Sequence, residues 1–222
     1  MKLAVIGDIH SNHMALKRCI EHAFSQNAEE FIFLGDYISD CPYPHKTMQI
    51  IYEMKDKYHC SFIRGNREDY MLHHRENPNE RWTYSSASGN LLYTYENLTK
   101  EDLDFYESLD IKGIYRKEGY PPFRYCHGSL TSSKELLLPD NENLESIMEN
   151  LDVDLLISGH AHIQESRTYG NKKLIHPGSV GVPWYYNGKA QYMILHGEKS
   201  GWNEEFFQLD YDVETVKKEY ET

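Results

Sequence analysis

Short continuous apolar runs alternate, over the first third of the chain, with stretches whose apolar positions recur every three or four residues. Lys2-Leu3-Ala4-Val5-Ile6 is uninterrupted after its lysine, the pattern of a strand covered on both faces. It stops at Gly7-Asp8, after which Ser11 or Asn12 can cap a helix running to about position 24, with Met14, Ala15, Ile20 and Ala23 on its apolar face. A second buried strand is predicted over 31–34, ended by Gly35-Asp36. A helix follows over about 46–58, with Met48, Ile50, Ile51 and Met54 as inward positions. A third strand over 61–64 is ended by Gly65-Asn66. This strand–helix rhythm indicates a parallel sheet with helices on its faces.

The stretch from 68 to 110 reads differently. It is helical in pattern but rich in aromatic and charged residues, among them Trp82, Tyr84, Tyr93, Tyr95, Phe105 and Tyr106. Thr99-Lys100-Glu101-Asp102 has the spacing of a capping box. The region is expected to be a helical insertion overhanging the strand ends. Strands then resume over 115–117, 123–126, 154–158, 173–176, 191–195 and 205–209. Gly119-Tyr120-Pro121-Pro122 suits a hairpin turn. No repeat, low-complexity tract or linker separates two halves, so one domain over 1–222 is expected.

Composition narrows the function classes. A hydrophobic share of 40% and a charged share of 26% are those of a globular chain in water. No apolar stretch approaches the roughly 20 residues that span a bilayer. The apolar start before Asp8 is too short for a signal peptide, which leads to an expected cytoplasmic location without membrane association. The four cysteines stand far apart with no Cys-x-x-Cys pair, which argues for reduced thiols rather than disulfides or a zinc knuckle. Cys126 adjoins His127 and is either a catalytic thiol or a small buried residue ending a strand. Lysine and arginine total 23 against 35 aspartates and glutamates, a net charge of −12. That balance discourages a long nucleic acid as partner. A small phosphorylated substrate remains compatible, because bound divalent cations would invert the local field.

The chemistry is carried by segments that mostly follow strands: Asp8-Ile9-His10, Gly35-Asp36, Gly65-Asn66, His127-Gly128 and Gly159-His160-Ala161-His162. Asp8 and His10 stand on alternate residues, and in extended backbone such side chains lean the same way. His160 and His162 repeat the spacing. A glycine before Asp36 permits a tight turn at the carboxyl edge of the sheet, where open α/β sheets hold ligands. Each element alone is common as a turn or as a structural histidine. Oxygen and imidazole donors in this order, from several strand ends, are what a two-metal hydrolytic site needs.

In that order the motifs resemble those of the calcineurin-like metallophosphoesterases, over residues 5 to 181. Gly7-Asp8-Ile9-His10-Ser11-Asn12-His13-Met14-Ala15-Leu16 and His176-Pro177-Gly178-Ser179-Val180-Gly181 are similar to the compact bacterial and archaeal phosphodiesterase branch. The resemblance implies an α/β fold of four layers, two mixed β-sheets flanked by helices. It implies one metal ion on Asp8, His10, Asp36 and His162, and a second on Asp36, Asn66, His127 and His160. Manganese is the first expectation, with iron, zinc or nickel as alternatives. Asp36 would bridge ions ~3.5–4 Å apart, and a hydroxide shared between them would attack phosphorus in line with the leaving oxygen. Many members carry histidine after the asparagine; here that residue is Arg67. Arginine cannot release a proton, but it can grip phosphate through two parallel hydrogen bonds, so Arg67 is a candidate for substrate binding beside Asn66. The alternative is a salt bridge from Arg67 to Glu68 or Asp69. His13 is a candidate proton donor or else a surface or capping residue, His45, His73 and His74 are expected to face solvent, and His176 is placed to orient the ligand loop. The insertion aromatics and Trp184-Tyr185-Tyr186 either stack on a nucleobase or serve the core. The activity implied is hydrolysis of small phosphodiesters, phosphomonoesters or nucleotides. A phosphoprotein phosphatase, a diadenosine polyphosphate hydrolase and a catalytically inactive scaffold are the other readings.

Overall fold

A computed structural model describes residues 1–185 and 188–221 of the chain. Two five-stranded mixed sheets face each other. The first is built from β1 (Lys2–Ile6), β2 (Glu30–Phe33), β3 (Cys60–Phe62), β9 (Lys189–Glu198) and β10 (Gly201–Asp210), in the order β10-β9-β1-β2-β3. β1, β2 and β3 are parallel, and β9 and β10 run antiparallel on the other side of β1. The second sheet has β4 (Lys112–Tyr115), β5 (Phe123–Cys126), β6 (Leu155–Ser158), β7 (Gln164–Tyr169) and β8 (Lys172–Pro177), in the order β4-β5-β6-β8-β7. β5, β6 and β8 are parallel, with antiparallel strands at both edges.

Why the strands read as continuous apolar runs is plain from their two faces. Leu3 and Val5 of β1, Ile32 of β2 and Leu34 just beyond it point into the space between the sheets. There they meet Phe123, Leu155, Ile157, Ile175 and Met193. The intervening Ala4, Ile6, Phe31 and Phe33 point the other way, onto a core shared with α1 (His13–Ser25), α2 (Pro44–Lys57), α3 (Asn66–Glu76) and α5 (Lys100–Ser108). The outer face of the second sheet is covered through Leu156 and Leu174 by α6 (Leu144–Glu149) and its flanks. The layers are therefore helix, sheet, sheet and helix, as the resemblance implies.

Local chemistry sets the helix starts. Asn12 is the cap of α1, its Oδ1 accepting from the Ala15 N–H at 3.1 Å. Thr99 and Asp102 close the expected capping box on α5. Pro44 occupies the first turn of α2, where its missing N–H costs nothing. The insertion holds α3, α4 (Gly89–Glu96) and α5, and α3 begins at Asn66 rather than after it. His74 departs from expectation: it stacks on Trp82 with ring centroids 4.0 Å apart instead of facing water. The strand expected over 115–117 lies three residues earlier, because Tyr115 closes the ladder opposite Phe123 and the turn begins at once after it. The polar β7, the short α6 and α7 (Val213–Glu219) were not predicted. Among the described residues no helix is long and apolar enough to cross a membrane.

Candidate metal centre

The donors converge where the carboxyl ends of both sheets meet. Asp8 and His10 follow β1, Asp36 follows β2 and Asn66 opens α3 after β3; His127 follows β5, and His160 and His162 follow β6. They form two groups, Asp8–His10–Asp36–His162 and Asp36–His127–His160. Within each group the ligand atoms lie within 4.8 Å of one another, and Asp36 is common to both. His10 Nε2 is 3.1 Å from His162 Nε2 and 3.7 Å from Asp36 Oδ2. His127 Nε2 is 3.4 Å from Asp36 Oδ1 and 3.0 Å from Asn66 Oδ1. Asn66 thus joins the second group.

The backbone that delivers these groups is not the extended one expected for alternate residues. Asp8, His10, Asp36, His160 and His162 have φ of 52°, 51°, 51°, 61° and 56°, all in the left-handed region. The side chains converge because consecutive tight turns fold each loop back over the sheet edge. Interlocking bonds hold these turns: the His10 N–H donates to Asp36 O at 2.9 Å and the Gly181 N–H to Asp8 O at 3.0 Å. Ser179 Oγ adds a second bond to Asp8 O. Across the two sheets, the His160 N–H donates to Asp8 Oδ2 at 3.0 Å. Gly65 is glycine for a steric reason, since a Cβ there would sit 2.2 Å from Asp36 Oδ1.

Orientation of the imidazoles is fixed from behind. The Nδ1 atoms of His127 and His162 are hydrogen-bonded to Leu34 O at 2.7 Å and Val182 O at 2.6 Å, while His10 Nδ1 faces Asp40 Oδ2 at 2.8 Å as an ion pair without hydrogen-bond alignment. Each Nε2 is left facing the cluster, the arrangement that prepares histidine as a ligand. Asp36 also lies at the amino end of α3, where Oδ1 accepts from the Arg67 N–H at 2.8 Å. Burial acts to raise its pKa, but His127, His10 and that N–H outweigh it and hold the carboxylate well below the usual range. Asp8 is likewise held down, burial being outweighed by His162 and His127. In return, and against burial, Asp36 and Asp8 push His127 up to about 10. Two carboxylates at 0% and 1% exposure thus demand positive charge. The oxygen and nitrogen donor set suits divalent transition metals.

Residues 1–164 match the model of the calcineurin-like phosphoesterases. The chain belongs to that family. It is similar to an uncharacterized protein of Methanocaldococcus jannaschii, 27% identical over 241 residues that take in 99% of this chain and 90% of the relative. Among solved structures, a hypothetical protein of Pyrococcus horikoshii matches with a TM-score of 0.86 at 20% identity, covering 99% of this chain and 92% of its own. A metallophosphoesterase from Sphaerobacter thermophilus gives 0.79 at 19%, covering 100% and 93%. At such identities the likeness to these two is one of fold.

The other candidate residues fall in distinct places. The Arg67 guanidinium reaches over the cluster, Nε 4.0 Å from Asp36 Oδ2 and Nη2 3.1 Å from Asp40 Oδ2. The acids offered as its alternative partners are engaged elsewhere: Asp69 with Arg64 at 2.7 Å, and Glu68 with three backbone N–H groups. His13 is not brought to the cluster; its Nε2 is 3.4 Å from Glu219 of α7. His176 ties β6 to a neighbouring loop, its ring nitrogens 2.8 Å from Ser158 O and 3.0 Å from Leu137 O. Cys126 is fully buried, and burial pushes its thiol up to about 12, so it is the small residue ending a strand and not a nucleophile. Trp184 and Tyr185 are exposed, and Tyr186 lies outside the described residues.

Two positioning residues escaped the sequence reading. Glu68 receives the N–H groups of Asp36, Tyr37 and Gly65 at 2.7–2.8 Å and so fixes the turn that presents Asp36. Burial and the Asp36 charge push it up to about 7, while the N–H donors pull the other way. Its signal was the Gly65-x-x-Glu68 spacing of an N-cap and its third helical residue. Asp40 faces both His10 and Arg67 from a left-handed residue, φ 64°, and nothing in its local sequence marks it.

Proposed function

We propose that this chain is a metal-dependent phosphoesterase that uses two divalent ions, with manganese the first expectation, to hydrolyse small phosphodiesters, phosphomonoesters or nucleotides. The observation that carries the reading is the pair of buried donor groups sharing Asp36. Asp8, His10, Asp36 and His162 would hold one ion, and Asp36, Asn66, His127 and His160 the other. Bound there, such ions offset phosphoryl charge and acidify water, the two needs of phosphoester hydrolysis.

The protein's own part is binding and orientation. Arg67 Nε is buried with no hydrogen-bond partner among the described residues, yet it stands beside Asp36 at the cluster. An anionic phosphoryl oxygen is the acceptor that would satisfy it, and the planar fork supplies a second parallel donor. Arginine holds its proton throughout the ordinary pH range, so Arg67 binds and does not protonate the departing oxygen. Esters whose leaving groups depart as anions are therefore favoured. Small substrates fit better than a phosphoprotein, because α4 reaches over the loop beside the cluster, with Tyr93 donating to Pro42 O and Asn90 to Asp40. A scaffold without catalysis would not need all seven donors.

The test is hydrolysis of bis-p-nitrophenyl phosphate and of the monoester by the purified chain, first with manganese and then with excess chelator. The expected outcome is turnover in manganese that chelator abolishes, with Asp36→Ala folded, weakened in metal binding and nearly inert. Turnover that survives chelation, or a metal-titrated Asp36→Ala as fast as the parent, overturns the reading. So does inactivity on both esters with two ions bound.

A further inference from the structure

Beside the metal centre is a cleft of about 280 Å³ that no step above uses. Its floor is the loop carrying Asp40, Pro42 and Tyr43; one wall is α4, through Asn90 and Tyr93, and the other is Tyr220, at the end of α7. Two tyrosines are fixed there by their hydroxyls while their rings remain as surfaces. Tyr93 donates to Pro42 O at 2.7 Å, and Tyr220 donates to Asp40 O at 2.9 Å while its residue stays 59% exposed. Polar groups sit at the end nearest the donor cluster: Asn90 Nδ2 donates to Asp40 Oδ1 at 3.0 Å.

Asp40 lines this cleft and also touches the cluster. Asp40 Oδ2 lies 2.8 Å from His10 Nδ1 and 3.1 Å from Arg67 Nη2. The Arg67 and Asp40 side chains are 25% and 26% exposed, so a partly exposed strip runs along this pair between the cluster and the cleft. A phosphoryl group on the cluster and Arg67 would direct one ester substituent along that strip.

Resting on the phosphoesterase reading, we propose that the cleft receives the nucleoside of a nucleotide ester, its base laid against Tyr220 and Tyr93 and its polar edge turned to Asp40 and Asn90. Flat rings fixed by their own hydroxyls offer stacking surface at little entropic cost, and one base stacked on an aromatic ring strengthens binding by about tenfold. The carboxylate suits an N–H donor of the base, the exocyclic amino group of adenine or the ring N–H of thymine, and the amide can serve either a donor or an acceptor on the base.

Two measurements test the proposal. In the first, the metal-free chain is mixed with adenosine and read by saturation-transfer difference NMR. The adenine protons should receive saturation, retain it in Tyr220→Phe, and lose most of it in Tyr220→Ala and Tyr93→Leu; circular dichroism confirms that each variant is folded. In the second, the manganese-loaded chain is given thymidine 5′-(p-nitrophenyl phosphate) or methyl p-nitrophenyl phosphate, which share a leaving group but not a nucleoside. The nucleoside ester should show a KM lower by about tenfold, the size of one stack, and Tyr220→Ala should bring the two KM values together. An adenosine signal indifferent to Tyr220 and Tyr93, or equal KM values in the parent chain, overturns the proposal. Hydrolysis of neither ester defeats the phosphoesterase reading instead, and the adenosine spectra still decide the cleft.

Discussion

On the proposed function, Arg67 is the residue that would grip the phosphoryl group. Its Nε has no acceptor among the described residues, and Nη2 is anchored at 3.1 Å on Asp40. An arginine so held presents a planar fork already aligned for a phosphoryl oxygen, whereas lysine at this position would offer one rotating point charge. Arg67→Ala is expected to lower kcat/KM for bis-p-nitrophenyl phosphate by about a hundredfold, the scale on which a single preorganised donor acts. Arg67→Lys should recover only a small part of it. Metal content measured by elemental analysis should stay at the parent value in both variants. Full efficiency in Arg67→Ala would show that the guanidinium merely pairs with Asp40. That the cluster's carboxylates and imidazoles would gather at one sheet edge was legible residue by residue, because such a side chain beside a glycine at the end of an apolar run can turn back over the edge. Their backbone was not. Five of them adopt left-handed φ, at a cost of roughly 1–2 kcal/mol each, and only bonds from distant loops, such as Gly181 to Asp8, hold them there. Glu68 and Asp40 act through those same turns, which explains why composition and spacing hid Asp40 altogether.

At the level of elements, burial on both faces decided what could be foreseen. β1, β2 and β6 lie inside the two sheets with apolar neighbours above and below, so their sequences are uninterrupted apolar runs. β7 is an edge strand whose Gln164-Glu165-Ser166-Arg167-Thr168-Tyr169 has no fully buried position, and nothing in its pattern separates it from a loop. β8, its neighbour, carries His176, which fastens the end of β6 just before His160. Burial lowers the pKa of this histidine below its ordinary 6.5. The folded ring therefore gives up its proton more readily than the unfolded one, and folding releases a proton in the window just under pH 6.5. Stability rises with pH through that window and is lost as pH falls below it. His176→Gln keeps an amide donor for one of the two carbonyls and removes the titration. Its melting temperature should fall less between pH 7.5 and pH 5.5 than that of the parent chain, with differential scanning calorimetry as the readout. Identical falls in the two proteins would mean that the ring is not neutral in the fold.

The whole molecule is divided by its core into two sheets whose facing residues form an apolar cluster, bridged away from the donor cluster by Tyr115–Glu30 and Lys173–Glu204. A further polar join lies where the carboxyl ends of both sheets meet. There Asp8, His10, Asp36 and Asn66 come from the first sheet and His127, His160 and His162 from the second. Each of the two donor groups draws on both sheets, so an ion in either one ties the layers together. The chain carries a net charge of −12, and two of its carboxylates, Asp8 and Asp36, are buried side by side at the join, where against burial they push the His127 pKa up and favour protons on the imidazoles. Divalent ions would displace those protons and neutralise the same charge, and they would bind only the folded chain, since the unfolded one scatters the donors across 155 residues of sequence from Asp8 to His162. An ion at about 100 times its Kd stabilises the fold by ~2.7 kcal/mol. For a chain of this length that corresponds to roughly 5–10 °C in Tm per ion. Calorimetric scans in manganese should therefore melt higher than scans in chelator by at least that amount. Asp36→Ala, which removes the donor common to both groups, should lose most of the difference, and His127→Ala, which removes a donor of one group only, should lose about half. If parent and Asp36→Ala shift alike, the ions bind elsewhere and the shared carboxylate does not join the two sheets.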